Sequence, residues 1–191
     1  IIKSLFPSGK ILQEYQLPDN YFGEGIALAN NKLFQLTWNE KVGIVYSANE
    51  LNTLRLFNLP SPEGWGITFN GNQLITSDGT HILHYLDTAS LLKKGELQVM
   101  DNLNKIPYLN ELEFVDGIIY ANVYQTNLIV MIDEKSGRVI GKIDCSGLLT
   151  EADNHPEIDV LNGIAYLPEK KHFLITGKNW PKMFEVVWVK K

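Results

Sequence analysis

The chain has 191 residues, 45% hydrophobic and 20% charged, and 17 basic against 22 acidic side chains leave a net charge of −5. A mildly acidic chain without a Lys/Arg cluster lacks the electrostatic footprint of a nucleic-acid binder, and its longest apolar runs, such as 128–132, are far below the roughly 20 residues of a membrane helix. The single cysteine, Cys145, excludes an intramolecular disulfide and any Cys/His zinc spacing.

The chain opens on Ile1 with no charged and apolar leader behind it, so a signal peptide is either absent or removed, and a secreted or periplasmic location is the expectation. Residues 1–17 read as two strands, because Ser8-Gly9-Lys10-Ile11-Leu12 returns later as Ser136-Gly137-Arg138-Val139-Ile140. Next comes Gly23-Glu24-Gly25-Ile26-Ala27-Leu28, a turn at Asn30-Asn31 and an apolar strand over 32–38. The same order recurs three times: Gly64-Trp65-Gly66-Ile67-Thr68-Phe69 with a strand at 73–77, Leu109-Asn110-Glu111-Leu112-Glu113-Phe114 with 118–124, and Leu161-Asn162-Gly163-Ile164-Ala165-Tyr166 with 172–176. Two of the intervening turns carry Asn70-Gly71 and Asp116-Gly117, strong hairpin signals between apolar runs. Helical spacing is found only over 88–94, and the last unit ends in a third strand over 183–189.

The equivalent positions Glu24, Trp65, Asn110 and Asn162 are 41, 45 and 52 residues apart. About four short strands in such a period is the signature of a β-propeller blade. The chain is therefore expected to be all-β, one domain over 1–191. Its expected parts are a remnant of a first blade at 1–17 and successive blades at about 18–58, 59–100, 101–148 and 149–191, a five-bladed propeller with the first blade incomplete.

Innermost strands line a propeller's channel, so residues at one repeat position converge near the axis. A purely structural repeat would keep small or apolar residues there, whereas Glu24, Trp65, Asn110 and Asn162 are unlike and mostly polar, which marks a site.

Several runs then resemble one family. Phe22-Gly23-Glu24-Gly25, Leu36-Thr37-Trp38, Glu63-Gly64-Trp65-Gly66, Leu109-Asn110-Glu111-Leu112-Glu113, Gln125-Thr126-Asn127, Leu161-Asn162-Gly163-Ile164-Ala165 and Thr176-Gly177-Lys178-Asn179-Trp180-Pro181-Lys182-Met183-Phe184-Glu185 are similar, in order, to the plant and bacterial glutaminyl cyclases, or glutamine cyclotransferases. The resemblance implies a five-bladed propeller that converts N-terminal glutamine of peptides or proteins to pyroglutamate without a catalytic zinc or other cofactor. Carried over by position, Glu24 is the general acid/base, Asn110 and Lys178 are polar substrate and transition-state contacts, and Phe22, Trp38 and Trp65 form an aromatic pocket. Tyr124 stands where the family usually has a third pocket Trp, and the family's first-blade Phe-Thr-Gln-Gly has no counterpart in this sequence.

The residue types suit that chemistry. The α-amine must lose a proton to attack the γ-carboxamide, the tetrahedral oxygen needs a donor, and the leaving nitrogen needs a proton. One carboxyl group between both nitrogens can do the first and last, and aromatic walls hold the folded rotamer at low entropic cost.

Other constellations are weak. His81 and His84 are read as facing opposite ways and solvated, His155 and His172 as surface residues, 153–157 as a solvated acidic loop, and Trp180 and Trp188 as packing residues. A Gly-x-Ser-x-Gly elbow and a phosphate loop are both missing. The competing readings are a noncatalytic or degenerate propeller that binds peptides, and a metal-dependent lactonase-type hydrolase. The second is disfavoured because only Glu24 and Glu111 lie near inner strands. A monomer acting on peptides, with neither nucleic acid nor membrane as partner, is expected.

Overall fold

A computed structural model describes residues 1–189. Alternating apolar positions bounded by Asn, Asp and Gly turns produce short antiparallel strands throughout. A hairpin of β1 (Ile2–Leu5) and β2 (Lys10–Glu14) comes first. Blade A is β3 (Gly23–Ala29), β4 (Lys32–Thr37), β5 (Val42–Ser47) and β6 (Thr53–Asn58), hydrogen-bonded in that order. Blade B is β7 (Ile67–Phe69), β8 (Gln73–Thr76), β9 (Ile82–Asp87) and β10 (Lys93–Gln98), followed by a small ladder of β11 (Met100–Asp101) with β12 (Asn104–Lys105). Blade C is β13 (Leu109–Val115), β14 (Ile118–Val123), β15 (Leu128–Asp133) and β16 (Val139–Asp144). A 3₁₀ turn at Glu151–Asp153 leads to blade D, made of β17 (Leu161–Leu167), β18 (His172–Gly177) and β19 (Phe184–Val186). No helix among the described residues is long and apolar enough to cross a membrane.

The arrangement is all-β and propeller-like, and the correction concerns the count. Four blades are built among the described residues rather than five, because β1 and β2 pair only with each other. The hairpin still packs beside blade A. The Tyr15 ring meets Tyr46 edge-on at 5.1 Å, the Tyr15 hydroxyl lies 3.1 Å from Thr53 Oγ1, and Lys3 donates to the Ala48 carbonyl at 3.2 Å. Between β1 and β3 runs an apolar groove of about 350 Å³ lined by Ile2, Ile26, Leu28, Leu33 and Leu51.

The expected helical turn at 88–94 is a strand turn instead. Asp87 takes the Ser90 N–H and hydroxyl on one carboxylate oxygen, both at 2.7 Å, and Leu91 closes the turn onto the Asp87 carbonyl with φ near 61°. A side chain that satisfies the local N–H groups outcompetes a helix. Asp133, Ser136 and Gly137 repeat this turn between β15 and β16, and Gly9 closes the first hairpin onto Leu5 in the same left-handed conformation. The Ser-Gly likeness of the two sequence segments is thus a likeness of turns.

The core is a set of seams between blades. Phe34, Leu36, Ile67, Leu74 and Leu86 fill the seam of A and B, while Ile75, Leu83, Leu109, Leu112 and Ile119 fill that of B and C. Tyr120, Ile129, Leu161, Phe173 and Ile175 fill the seam of C and D, with Trp188 packed on them as expected. Each such side chain contributes roughly 1.5–3 kcal/mol of burial, so the seams hold the inner strands at fixed mutual distances.

Candidate active site

Inner-strand pairing slips at one place in blades A, C and D, while β7 and β8 of blade B pair without a shift. The register of β3 on β4 shifts between Gly23 and Ile26, of β13 on β14 between Leu109 and Leu112, and of β17 on β18 between Leu161 and Ile164. Glu24, Asn110 and Asn162 sit inside these bulges, which leave residues outside the ladder free to turn toward the axis. In blade B the corresponding residue, Trp65, lies just ahead of β7 and donates its N–H to the Ser77 carbonyl at 3.1 Å.

The bulges also lock blades together. Gly25 of blade A donates to the Trp65 carbonyl at 2.8 Å. The Ser77 hydroxyl accepts from the Gly66 N–H at 2.8 Å and donates to the Asn110 carbonyl at 2.7 Å, joining blades B and C. Blade D is tied to C by the Gly163 N–H, which donates to Asn122 Oδ1 at 3.0 Å.

Lys178 is placed by the loop after β18. Its N–H donates to the Val160 carbonyl at 2.9 Å, Asn179 Nδ2 donates to the Glu157 carbonyl at 2.9 Å, and the Trp180 indole donates to the Asp159 carbonyl at 2.9 Å. A Cβ on Gly177 would lie 2.3 Å from the Trp180 ring, so the Thr-Gly-Lys-Asn-Trp order is what lets this loop close on residues 153–160. Of the loop expected to be solvated, residues 154–157 are exposed and Asp153 departs. Asp153 is buried, accepts from the Thr150 N–H and hydroxyl, and pairs with Lys182 at 2.5 Å, which holds its carboxyl down at about 2. His84 departs from expectation too. It is buried, with Nε2 3.0 Å from Asp78 Oδ2, because the loop at 78–80 folds back over β9. His155, by contrast, is exposed and lies 3.1 Å from the Asn179 carbonyl.

The candidate side chains form a connected wall. Phe22 and Trp38 meet edge-on at 5.8 Å, Trp65 and Tyr124 at 5.4 Å, and the Lys178 ammonium stands over the Tyr124 ring, 5.5 Å from its centroid. Cation–π contact of this kind suits a ring that replaces Trp. Burial pushes the Glu24 carboxyl above its ordinary pKa, and the Lys178 charge pulls it partly back, so the two act on each other directly. Asn110 is 3% exposed and its Oδ1 has no hydrogen-bond partner; Asn162 Oδ1 is buried and unpaired likewise. Both residues occupy the inner-strand bulge position that Glu24 holds in blade A.

An axial cavity of about 480 Å³ runs along the inner strands, lined among others by Ile26, Ile67, Glu111, Glu113 and Thr176. None of the seven candidate residues lines it; they stand at the bulged end of the strands. Burial raises the Glu111 carboxyl to about 8 and the Glu113 carboxyl to about 7, the latter while accepting the Tyr166 N–H at 2.8 Å. The negative charges of Glu113 and Glu24 push the Glu111 carboxyl up further. No group of three or more His, Cys, Asp or Glu side chains able to hold a metal ion occurs among the described residues.

Sequence reasoning missed Glu63, whose carboxylate accepts both pocket indoles; its signal was an acid two residues before Trp65 in Glu63-Gly64-Trp65-Gly66. It also passed over Ser77, which no repeat position marked.

A bulge-borne carboxyl beside a lysine and an aromatic wall is the geometry against which known proteins can be compared. A family model described as glutamine cyclotransferase matches residues 2–188. The chain belongs to the glutamine cyclotransferase family. A relative from Arabidopsis thaliana named glutaminyl-peptide cyclotransferase is 36% identical over 183 residues, covering 94% of this chain. The chain spans 57% of that cyclotransferase's length. Among solved structures, the crystal structure of Myxococcus xanthus glutaminyl cyclase superposes with a TM-score of 0.84 at 35% identity, over 93% of this chain and 76% of that cyclase. The cyclotransferase likeness therefore extends across all four blades and both ends of the candidate site.

Proposed function

We propose that the protein is a glutaminyl-peptide cyclotransferase that converts the N-terminal glutamine of a peptide or protein to pyroglutamate with release of ammonia. The observation that carries this reading is Glu24, a half-buried carboxyl with its pKa raised by burial and a lysine acting on it, set in a bulge beside an aromatic wall. The α-amine nitrogen attacks the γ-carboxamide carbon and a C–N bond forms, closing a five-membered ring. Glu24 takes the proton the amine loses and returns it to the γ-nitrogen, whose C–N bond breaks to give ammonia. Lys178 and Asn110 face the oxygen that gains charge in the tetrahedral intermediate, and Phe22, Trp38, Trp65 and Tyr124 hold the glutamine side chain folded on its own amine.

The chain's single domain is part of a five-bladed ring in this reading. Its support is the β1–β2 hairpin packed beside blade A and the apolar groove between β1 and β3, which would receive a fifth blade's inner strands. A monomer and a secreted or periplasmic location belong to the same proposal and are checked by sizing and by cell fractionation.

Ammonia release from a dipeptide with N-terminal glutamine is the direct test, run with and without a zinc chelator. Cyclisation that survives chelation supports the reading, and a protein that binds the dipeptide without releasing ammonia supports the noncatalytic alternative.

Lys178 supplies a sharper expectation. Its charge lowers the Glu24 pKa, and the working base is the ionised carboxylate, so kcat/KM rises as pH passes that pKa. Lys178→Ala removes the opposing charge, raises the Glu24 pKa and moves the acid limb of the profile to higher pH. At the plateau, loss of one donor to the developing oxyanion costs roughly 100-fold in kcat. A plateau loss with an unmoved limb would place Lys178 away from Glu24.

A further inference from the structure

Trp38 lies just past β4 in blade A and Trp65 just ahead of β7 in blade B, so the aromatic wall crosses a seam between blades. Trp38 is 42% exposed and meets Phe22 edge-on, so packing restrains its ring less than that of a buried side chain. Both indoles nevertheless donate to a single atom. Glu63 Oε2 accepts the Trp38 Nε1–H at 2.9 Å and the Trp65 Nε1–H at 2.8 Å. Hydrogen bonds to a carboxylate are roughly twice as strong as neutral ones, and two donors converging on one oxygen fix the rings relative to each other.

The segment bearing Glu63 is itself pinned. The Gly64 N–H donates to the Trp38 carbonyl at 2.9 Å, and the Ser61 hydroxyl donates to the Glu63 carbonyl at 2.8 Å. The two tryptophans outside the wall differ. Trp180 donates to a backbone carbonyl, and Trp188 Nε1 is buried without a partner. Carboxylate bonding is thus confined to the indoles of the candidate pocket.

We propose that Glu63 is a positioning residue whose carboxylate holds Trp38 and Trp65 as one rigid wall across the seam of blades A and B. From Trp65 the contact passes to Tyr124 and then to Lys178, so the same carboxylate sets how the wall meets the charged side of the site. The consequence for catalysis rests on the cyclotransferase reading; the geometry does not.

The test uses ¹⁵N-labelled wild type, Glu63→Ala and Glu63→Gln, with spectra of the four tryptophan indole N–H groups and kinetics on an N-terminal glutamine dipeptide. Two indole peaks move upfield in Glu63→Ala, less in Glu63→Gln, and those of Trp180 and Trp188 stay. KM rises about 10-fold or more in Glu63→Ala, because misplacing a positioning wall by about 1 Å carries costs up to 100-fold, while kcat falls less. Glu63→Gln, whose carbonyl oxygen can still accept two bonds, recovers most of the loss. In a Trp38→Phe/Trp65→Phe background, which keeps aromatic rings but removes both donors, Glu63→Ala has no further effect on KM. Unmoved indole peaks would overturn the proposal, as would an unchanged KM in Glu63→Ala or a full effect in the double-Phe background. A wild type that does not cyclise glutamine rejects the cyclotransferase reading instead, and the indole peaks still decide whether Glu63 holds both rings.

Discussion

Glu24→Gln lowers kcat by about 100- to 10,000-fold, the scale of a positioned general acid/base, with KM for an N-terminal glutamine peptide changed little. The amide keeps the length and hydrogen-bonding reach of the carboxyl, so the substrate still docks, but it cannot accept the amine's proton and hand it on. The pH profile adds an independent check. Burial raises the Glu24 pKa, so the wild-type acid limb lies above the pH at which an exposed glutamate ionises, and that limb disappears from the residual activity of Glu24→Gln. If Glu24 served only as a channel hydrogen-bonding group, turnover per folded molecule would be unchanged and only thermal stability would move.

Gly66→Ala destabilises the fold by about 3–5 kcal/mol, among the largest single-substitution effects. A Cβ there would lie 2.1 Å from the Asn110 carbonyl oxygen and 2.8 Å from Glu111 Cα, both backbone atoms of the neighbouring blade. No side-chain rotation relieves such an overlap; blades B and C must separate, and the Ser77 bridge from Gly66 to Asn110 is lost with them. Gly95→Ala is the control. Its Cβ meets nothing within 4 Å, and denaturant unfolding should place it within about 0.5 kcal/mol of wild type. Equal stability of the two variants would mean that the inner strands approach less closely than described.

The blade order was legible because it repeats. Asn70-Gly71 and Asp116-Gly117 announce turns through backbone chemistry alone, and the spacing of Glu24, Trp65, Asn110 and Asn162 identifies the innermost strand of each unit. The aromatic wall was legible by resemblance, residue by residue. Glu63 was not, since its role lies in accepting two indoles from two blades and no local pattern encodes a partner 25 residues away. Asp153 and His84 were misread as solvated for a related reason: a polar residue is buried when a partner from another segment, Lys182 or Asp78, satisfies it.

The sequence by itself determined the all-β class and the turns, which depend on side chains within a few positions of one another, and the blade period and the residues offered to the axis, because the same local pattern recurs along the chain. The tertiary structure alone decided that the inner strands bulge at Glu24, Asn110 and Asn162, that the described residues build four blades beside a separate hairpin, and that Glu24 and Lys178 influence each other. These depend on how closely seams between blades pack and on the desolvation and charge that packing creates, which are properties of the assembled blades and of no single stretch of chain.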